Sequence, residues 1–252
     1  MEGIINVLSI KEIFEHFEKN AAYSFATLED GRPQIRVAHL LNYDEDGLYF
    51  QTMKVKPFYH QLVTGGKVAV STVVAKEGAA THDENGLSLF PPGYTIHLTG
   101  DVREISLSDL EKKAEKDKRF DPMVKDIERY PTMTTFVIYK FSGELYDYDF
   151  EFINRDHKLE RERFSYGLPI QDPGFHITDK CIECGLCYKV CSFSAIVPGK
   201  PYKINSVRCD ECGSCYSVCP VKAVVAKSEM KEEDRKEAGR KLIAMYMNSK
   251  KK

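Results

Sequence analysis

Cys181, Cys184, Cys187 and Cys191 recur as Cys209, Cys212, Cys215 and Cys219, so the eight cysteines form two copies of C-x2-C-x2-C-x3-C set 28 residues apart. This is the spacing that wraps a cubane iron-sulfur cluster. Three thiolates within seven residues can surround one cube when a tight loop turns their sulfurs inward, and the fourth, on the helix that follows, points to the other cube. Crossed ligation is therefore expected: Cys181, Cys184, Cys187 and Cys219 on one 4Fe-4S cluster, and Cys209, Cys212, Cys215 and Cys191 on the other. Two linked clusters carry electrons singly.

Other uses of eight thiols fit less well. Disulfides need an oxidising compartment, and the opening MEGIINVLSIKEIF lacks the basic, apolar and small-residue parts of a secretion signal. Structural zinc takes two separated pairs of ligands, whereas each group here packs four cysteines into eleven residues with no histidine among them. Gly185 with Gly213, Tyr188 with Tyr216, Val190 with Val218 and Ala195 with Ala223 repeat at the same offset, the mark of a duplicated unit. The stretch resembles the bacterial two-cluster ferredoxins. Pro220 follows Cys219 as that resemblance implies, but Ser192 follows Cys191.

A ferredoxin unit of this kind fills about residues 170–228, leaving a front segment long enough to bury its own core. The reading is a domain at 1–152, a linker at 153–169, the two-cluster domain at 170–228 and a helical tail at 229–252. Hydrophobic residues are 42%, charged residues 29% and the formal net charge is −2, so no global field draws the chain to nucleic acid or a membrane. No apolar run reaches transmembrane length. With eight thiols that must stay reduced, a cytoplasmic location is expected.

In the front domain Ser9 and Glu12 make a capping box, Leu8 can staple against Ile13, and Ile10, Ile13, Phe14 and Phe17 form one apolar face, which predicts a helix. Strands follow: AYSFATL to an acidic turn, QIRVAHLLNY to Asp44-Glu45-Asp46-Gly47, then LYFQT. A short helix from about Val55 to Thr64 precedes KVAVSTVV, and a long strand runs from Tyr94 to about Ile105. Ser106 and Asp109 start another helix, and TTFVIYKFSGELYDYDFE closes the domain as strand. Consecutive strands without alternating βαβ units predict an antiparallel barrel, so the chain reads as mainly β plus α+β.

The order from FATLEDGRPQIRVAHL through DGLYFQTMKVKPFYHQL to TGGKVAVSTVV resembles the pyridoxamine 5'-phosphate oxidase-like flavoproteins, whose split β-barrel dimers bind FMN. The resemblance spans roughly residues 5–150. It implies that Arg36 and Lys56 meet the FMN phosphate, Thr52 donates a hydroxyl, Val37 and Ala38 lie along the isoalloxazine, and Gln61 supports the phosphate end. It also implies a homodimer. A phosphate dianion suits a guanidinium, an ammonium and the positive end of a helix, which this stretch can bring together. Lys56-Pro57 stands where the vitamin oxidases place adjacent basic residues, and no match to their substrate-phosphate arginine and histidine is present. The chain is closer to the broader flavin reductase-like members.

Joining a one-electron wire to a flavin, which can pair electrons, implies an oxidoreductase. An external low-potential donor would feed the clusters, the Tyr188 or Tyr216 side would face the flavin, and a small organic substrate would be reduced. A relay or redox sensor without its own substrate, or a relative binding deazaflavin or haem, is the alternative. His39 and Tyr94 are candidate proton donors, a core or hydrogen-bonded structural role being the favoured alternative for each. The 78–93 stretch could form a lid, 157–167 could cover the flavin, and Ala238, Leu242, Ile243, Tyr246 and Met247 give the tail an apolar face. None of the seven histidines forms a metal-spaced pair.

Overall fold

The structure is a computed structural model that describes residues 8–20, 23–75, 81–86, 88–89, 93–148, 160–169, 174–226 and 228–249. Along the chain run helix α1 (Ile10–Glu18), strands β1 (Tyr23–Glu29), β2 (Arg32–Ala38), β3 (Asn42–Asp44) and β4 (Gly47–Met53), helix α2 (Pro57–Gly65), and strands β5 (Lys67–Ala75), β6 (Thr81–His82), β7 (Ser88–Leu89) and β8 (Gly93–Ile105). Next come α3 (Leu107–Lys116), a 3-10 turn (Lys118–Phe120), α4 (Asp121–Arg129), β9 (Met133–Tyr148) and β10 (Glu160–Tyr166). The remainder is β11 (Phe175–Ile177), α5 (Leu186–Lys189), β12 (Ile196–Val197), β13 (Lys203–Ile204), α6 (Ser214–Val218), β14 (Val224–Ala226) and α7 (Glu232–Ser249). Two compact units divide the chain: residues 1–78, 93–145 and 164–169 form one, and 79–92, 146–163 and 170–252 the other.

In the first unit the strands form one sheet in the order β2-β1-β5-β8-β9-β4-β3, with β10 also on β9. The ladders β1–β2, β1–β5, β5–β8, β4–β9 and β3–β4 are all antiparallel, as the strand succession predicts. Four inter-strand steps separate β1 from β4, a distance of about 19 Å in a flat sheet. Yet Phe25 of β1 and Phe50 of β4 touch, with ring centroids 5.2 Å apart. The sheet is therefore rolled into a split barrel. Phe58 of α2 sits in the opening against both rings, at 6.1 and 5.8 Å.

Local chemistry accounts for the ends of these elements. The expected capping box forms at α1, where Ser9 Oγ accepts from the Glu12 N–H and Glu12 Oε2 accepts from the Ser9 N–H at 2.8 Å. Ile13, Phe14 and Phe17 carry that helix into the barrel core. Helix α3 begins at Ser106, whose side chain accepts from the Asp109 N–H, also as expected. Outside the barrel wall, Leu110, Ala114, Phe120 and Met123 from α3, the 3-10 turn and α4 cover Tyr49 and Val137 in a second core.

The second unit has short ladders, β11 with β14 and β12 with β13, around a core of Cys187, Cys191, Phe193, Ala195, Ile196 and Cys209. Residues 160–166, within the segment read as a linker, form β10. Residues 157–159 lie outside the described residues, as do 78–80, 87 and 90–92 of the stretch read as a lid; within that stretch Thr81 pairs with Leu89 and His82 with Ser88. The expected helical tail is α7. No described helix is long and apolar enough to cross a membrane.

Candidate metal and cofactor sites

The duplication seen in the cysteines is repeated in the backbone. Glu183 and Glu211 adopt φ of 57° and 58°, Gly185 and Gly213 of 73° and 76°, and Ser194 and Lys222 of 49° and 52°, all at the 28-residue offset. Left-handed backbone at non-glycine residues is uncommon and needs a surrounding structure that enforces it. Here it turns each loop tightly enough for three cysteines spaced three positions apart to face one side. The glycines, at the N-caps of α5 and α6, take the same conformation without a side-chain penalty.

The sulfurs are grouped as crossed ligation requires. One cavity is lined by Cys181, Cys184, Cys187 and, from the other repeat, Cys219, with Ile177, Leu186, Tyr202 and Val224 beside them. Cys215 is influenced by Cys209, Cys212 and Cys191 ahead of Cys187, and Cys209 by Cys212 and Cys191. All eight thiols are free. Among the described residues no three acids, histidines or cysteines converge on a single ion; these sulfurs surround a space instead.

Burial pushes the Cys187 thiol up to about 11 and the Cys215 thiol up to about 12, and it raises Cys209 as well. Such sulfurs are held as thiolates when a cationic iron centre offsets their burial. Backbone N–H groups assist: Ala195 donates to Cys191 Sγ at 3.3 Å and Ala223 to Cys219 Sγ at 3.2 Å, again one repeat apart. The donor set, its grouping and these N–H bonds fit two cubes. Tyr188 is 48% exposed, whereas the Tyr216 ring is flanked by Phe175 and Arg235.

In the first unit the strand period separates the residues expected around FMN. Arg36 of β2 turns inward, donating from one terminal nitrogen to Thr27 Oγ1 and from the other to Gln61 Oε1, both at 2.7 Å. Thr27 also donates to Gln61 Oε1 at 2.6 Å, and the guanidinium lies 4.3 Å from the centre of the Phe58 ring. Burial pushes the Arg36 pKa down and Glu29 opposes it; an arginine remains charged there. Val37, next along the strand, faces the other way and is 68% exposed. Ala38 is half-buried at the strand end.

Thr52 is buried within β4, opposite Thr134, and the N-cap of α2 is Lys56. The helix starts at Pro57, two residues later than expected, because proline fixes the first helical residue and lacks an N–H that the helix would leave unpaired. Lys56 is exposed. The structure thus joins Arg36 and Gln61 directly and adds Thr27 and Phe58, which sequence reading did not single out. Thr27 and Arg36 are diagonal neighbours across the β1–β2 hairpin, whereas Gln61 and Phe58 reach them from α2, a placement to which no local pattern points. A second network also emerges, in which Glu104 accepts from Thr134 Oγ1 at 2.6 Å, Tyr59 Oη at 3.1 Å and Lys54 Nζ at 2.9 Å.

These positions suit a phosphate. Arg36 uses two of its N–H donors on Thr27 and Gln61, and its fork leaves others. Its guanidinium lies over the ring of Phe58, a first-turn residue of α2, and the unpaired amides and dipole at that helix start also favour an anion. The two candidate proton donors are set apart from this group. The Tyr94 hydroxyl is hydrogen-bonded with His16 Nδ1 at 3.1 Å, and His39 is exposed with its ring near Tyr23.

Residues 180–223 match the family model described as the 4Fe-4S dicluster domain, so the second unit contains a ferredoxin domain of the kind that carries 4Fe-4S clusters. No curated protein matches the chain. Among solved structures, a NimC/NimA family protein from Clostridium acetobutylicum aligns at 19% identity over 62% of this chain and 91% of its own, with a TM-score of 0.43. An FAD-binding protein from Mesorhizobium loti aligns at 16% identity over 56% and 96%, TM-score 0.35. HutZ, the heme storage protein from Vibrio cholerae, aligns at 13% identity over 52% and 86%, TM-score 0.35. The rolled sheet described above rests on the ring contacts of this chain itself.

Proposed function

We propose that this chain is an iron-sulfur flavoprotein oxidoreductase that takes electrons from an external low-potential donor onto two 4Fe-4S clusters and FMN and uses them to reduce a small organic substrate. The single observation that carries the redox part is the crossed grouping of eight cysteines, with Cys219 lining the cavity of the first repeat. When bound, the clusters supply one-electron transfer and the flavin supplies pairing of electrons for hydride-level chemistry. In the barrel, Arg36, the first turn of α2 and the Lys56 ammonium would hold the FMN phosphate, with Gln61 and Thr27 fixing the guanidinium. Val37 and Ala38 would contribute their strand backbone along the ring, and Thr52 its hydroxyl. We also propose a cytoplasmic homodimer, acting without nucleic acid or membrane.

Anaerobic purification with iron, sulfide and flavin quantified together tests this reading. About eight iron and eight sulfide per chain are expected for two cubes, together with bound FMN. Clusters with no ring cofactor would overturn the flavoprotein reading. A Soret band or a deazaflavin spectrum would replace FMN with another group, and absence of iron would end the redox reading altogether. Screening oxidised small molecules against the dithionite-reduced protein then seeks the substrate.

A further inference from the structure

The two halves of the cysteine repeat match in backbone but not in charge. In both halves the carbonyl of the last cysteine accepts a backbone N–H three residues on, Ser194 to Cys191 and Lys222 to Cys219, each at 3.3 Å. Only the Cys219 carbonyl also receives a cation. Arg235 of α7, 5% exposed, donates from NH2 to Cys219 O at 2.9 Å and from Nε to Tyr216 O at 3.1 Å, while its guanidinium lies 4.9 Å from the centre of the Tyr216 ring. Among the described residues no cationic side chain reaches the carbonyl of Cys191.

The contact is a built one. A Cβ at Gly239 would fall 2.4 Å from Ser217 O, so α7 can lie this close to the end of α6 only with glycine there. The Tyr216 carbonyl that Arg235 meets is one that α6 leaves without a helical partner at its C-terminus, and Cys219 is the C-cap of that helix. Its surroundings remain cationic: Glu232 lies 3.7 Å from Arg235 but is shared with Lys222 at 2.9 Å and Lys236 at 3.8 Å. Near Cys209 the balance differs. Arg161 and Arg163 are each met by a carboxylate, Asp210 at 2.5 Å and Glu211 at 3.3 Å.

We propose that Arg235 makes the two clusters inequivalent, raising the reduction potential of the one held by Cys181, Cys184, Cys187 and Cys219 so that the first electron to arrive rests there. This builds on the cluster assignment above. Adding an electron makes a cluster more negative, so a buried cation hydrogen-bonded to a ligand's own carbonyl favours the reduced state. One electron enters from an external one-electron reductant; no bond is made or broken and no proton moves. Arg235 acts through the Cys219 backbone, as a positioning and tuning residue.

The test is an anaerobic potentiometric titration of the full-length, cluster-loaded protein followed by electron paramagnetic resonance, with the wave of the Cys219 cluster identified as the one altered in Cys219→Ser. Wild type should show that wave at the higher potential. Arg235→Gln should shift it downward, lowering the reduced-to-oxidised ratio at fixed potential about tenfold, which is ~59 mV for a one-electron couple. Arg235→Lys should restore most of the difference, and the other wave should stay in place. If Arg235→Gln loses iron, Glu232→Gln leaves the buried arginine in place and should shift the same wave upward. A loaded protein whose wave moves in neither variant overturns the proposal, as does a wild type in which the Cys219 wave is the lower one. A protein that never holds two clusters overturns the cluster assignment instead.

Discussion

At the scale of residues, the crossed ligation and the Arg36 fork make separable predictions. Cys219 belongs to the second repeat by sequence but lines the cavity of Cys181, Cys184 and Cys187. Cys219→Ser should therefore disturb the same resonance as Cys181→Ser, and Cys191→Ser the same one as Cys209→Ser. Pairing by sequence repeat, with Cys219 grouped with Cys209, would show the assignment to be wrong. Arg36 is held by Thr27 and Gln61 at 2.7 Å, lies over the ring of Phe58 in the first turn of α2 and has further donors to offer. A charge-assisted hydrogen bond contributes about 1.5–3 kcal/mol. Arg36→Gln should weaken FMN retention by roughly 10- to 100-fold, measured by fluorescence of released flavin, while iron and sulfide content stay at the wild-type level. Retention unchanged in Arg36→Gln would remove this arginine from the phosphate site.

At the scale of elements, the β3–β4 hairpin is fastened to α3 by one lysine. Lys113 Nζ donates to Asp44 at 2.7 Å and to Asp46 at 2.6 Å, and Tyr49 Oη donates to Asp44 at 2.7 Å. Lys113 is 18% exposed and Asp44 12%, so removing the lysine leaves the Asp44 carboxylate short of its partner in a largely dry setting, while Asp46 is 43% exposed. Lys113→Met should cost about 3 kcal/mol, or about 6–12 °C in melting temperature for a domain of this size. The pH dependence has a definite sign. The hydrogen bond from Lys113 holds Asp46 below the ordinary carboxylate range, so the pairing stabilises fully above that range and fades as pH falls through it. Acid melting curves of wild type and Lys113→Met should therefore converge at low pH. Curves that stay parallel would mean that the hairpin is held by something else. These elements also show what the chain discloses locally. The caps at Ser9 and Ser106, the acidic turn before β2 and the strand succession depend on neighbours three or four residues apart, and they form where the pattern places them. The meeting of Arg36 with Gln61 and Phe58 depends on how α2 seats against the rolled sheet. That is set by packing of Phe25, Phe50 and Phe58 from three distant segments, and no short window contains it. The cysteine site was legible because its ligands repeat at a fixed spacing; Arg235, on a charged helix with no such register, was not.

At the scale of the molecule, the two units differ in what stabilises them. The first rests on long ladders, such as the nine-residue pairing of β5 with β8, and on a core of aromatic and branched side chains. In the second, β11 meets β14 over three residues and β12 meets β13 over two, and three of the six buried residues clustered around its centre are cysteines. A core that small supplies little hydrophobic stabilisation, and a buried thiol without iron lacks the bonds that justify its position. Cluster binding and folding of that unit should therefore be coupled, as in other small metal domains. Removing iron anaerobically with a chelator should abolish amide protection in β11, α5, α6 and β14 while protection in β5, β8 and β9 persists, read by hydrogen exchange on one sample. Because α7 is anchored through Arg235 to Tyr216 and Cys219, its amides should lose protection together with α6. Protection surviving throughout the second unit after complete iron loss would mean that its fold is preformed and the clusters merely occupy it; loss in both units at once would mean that the barrel also depends on iron.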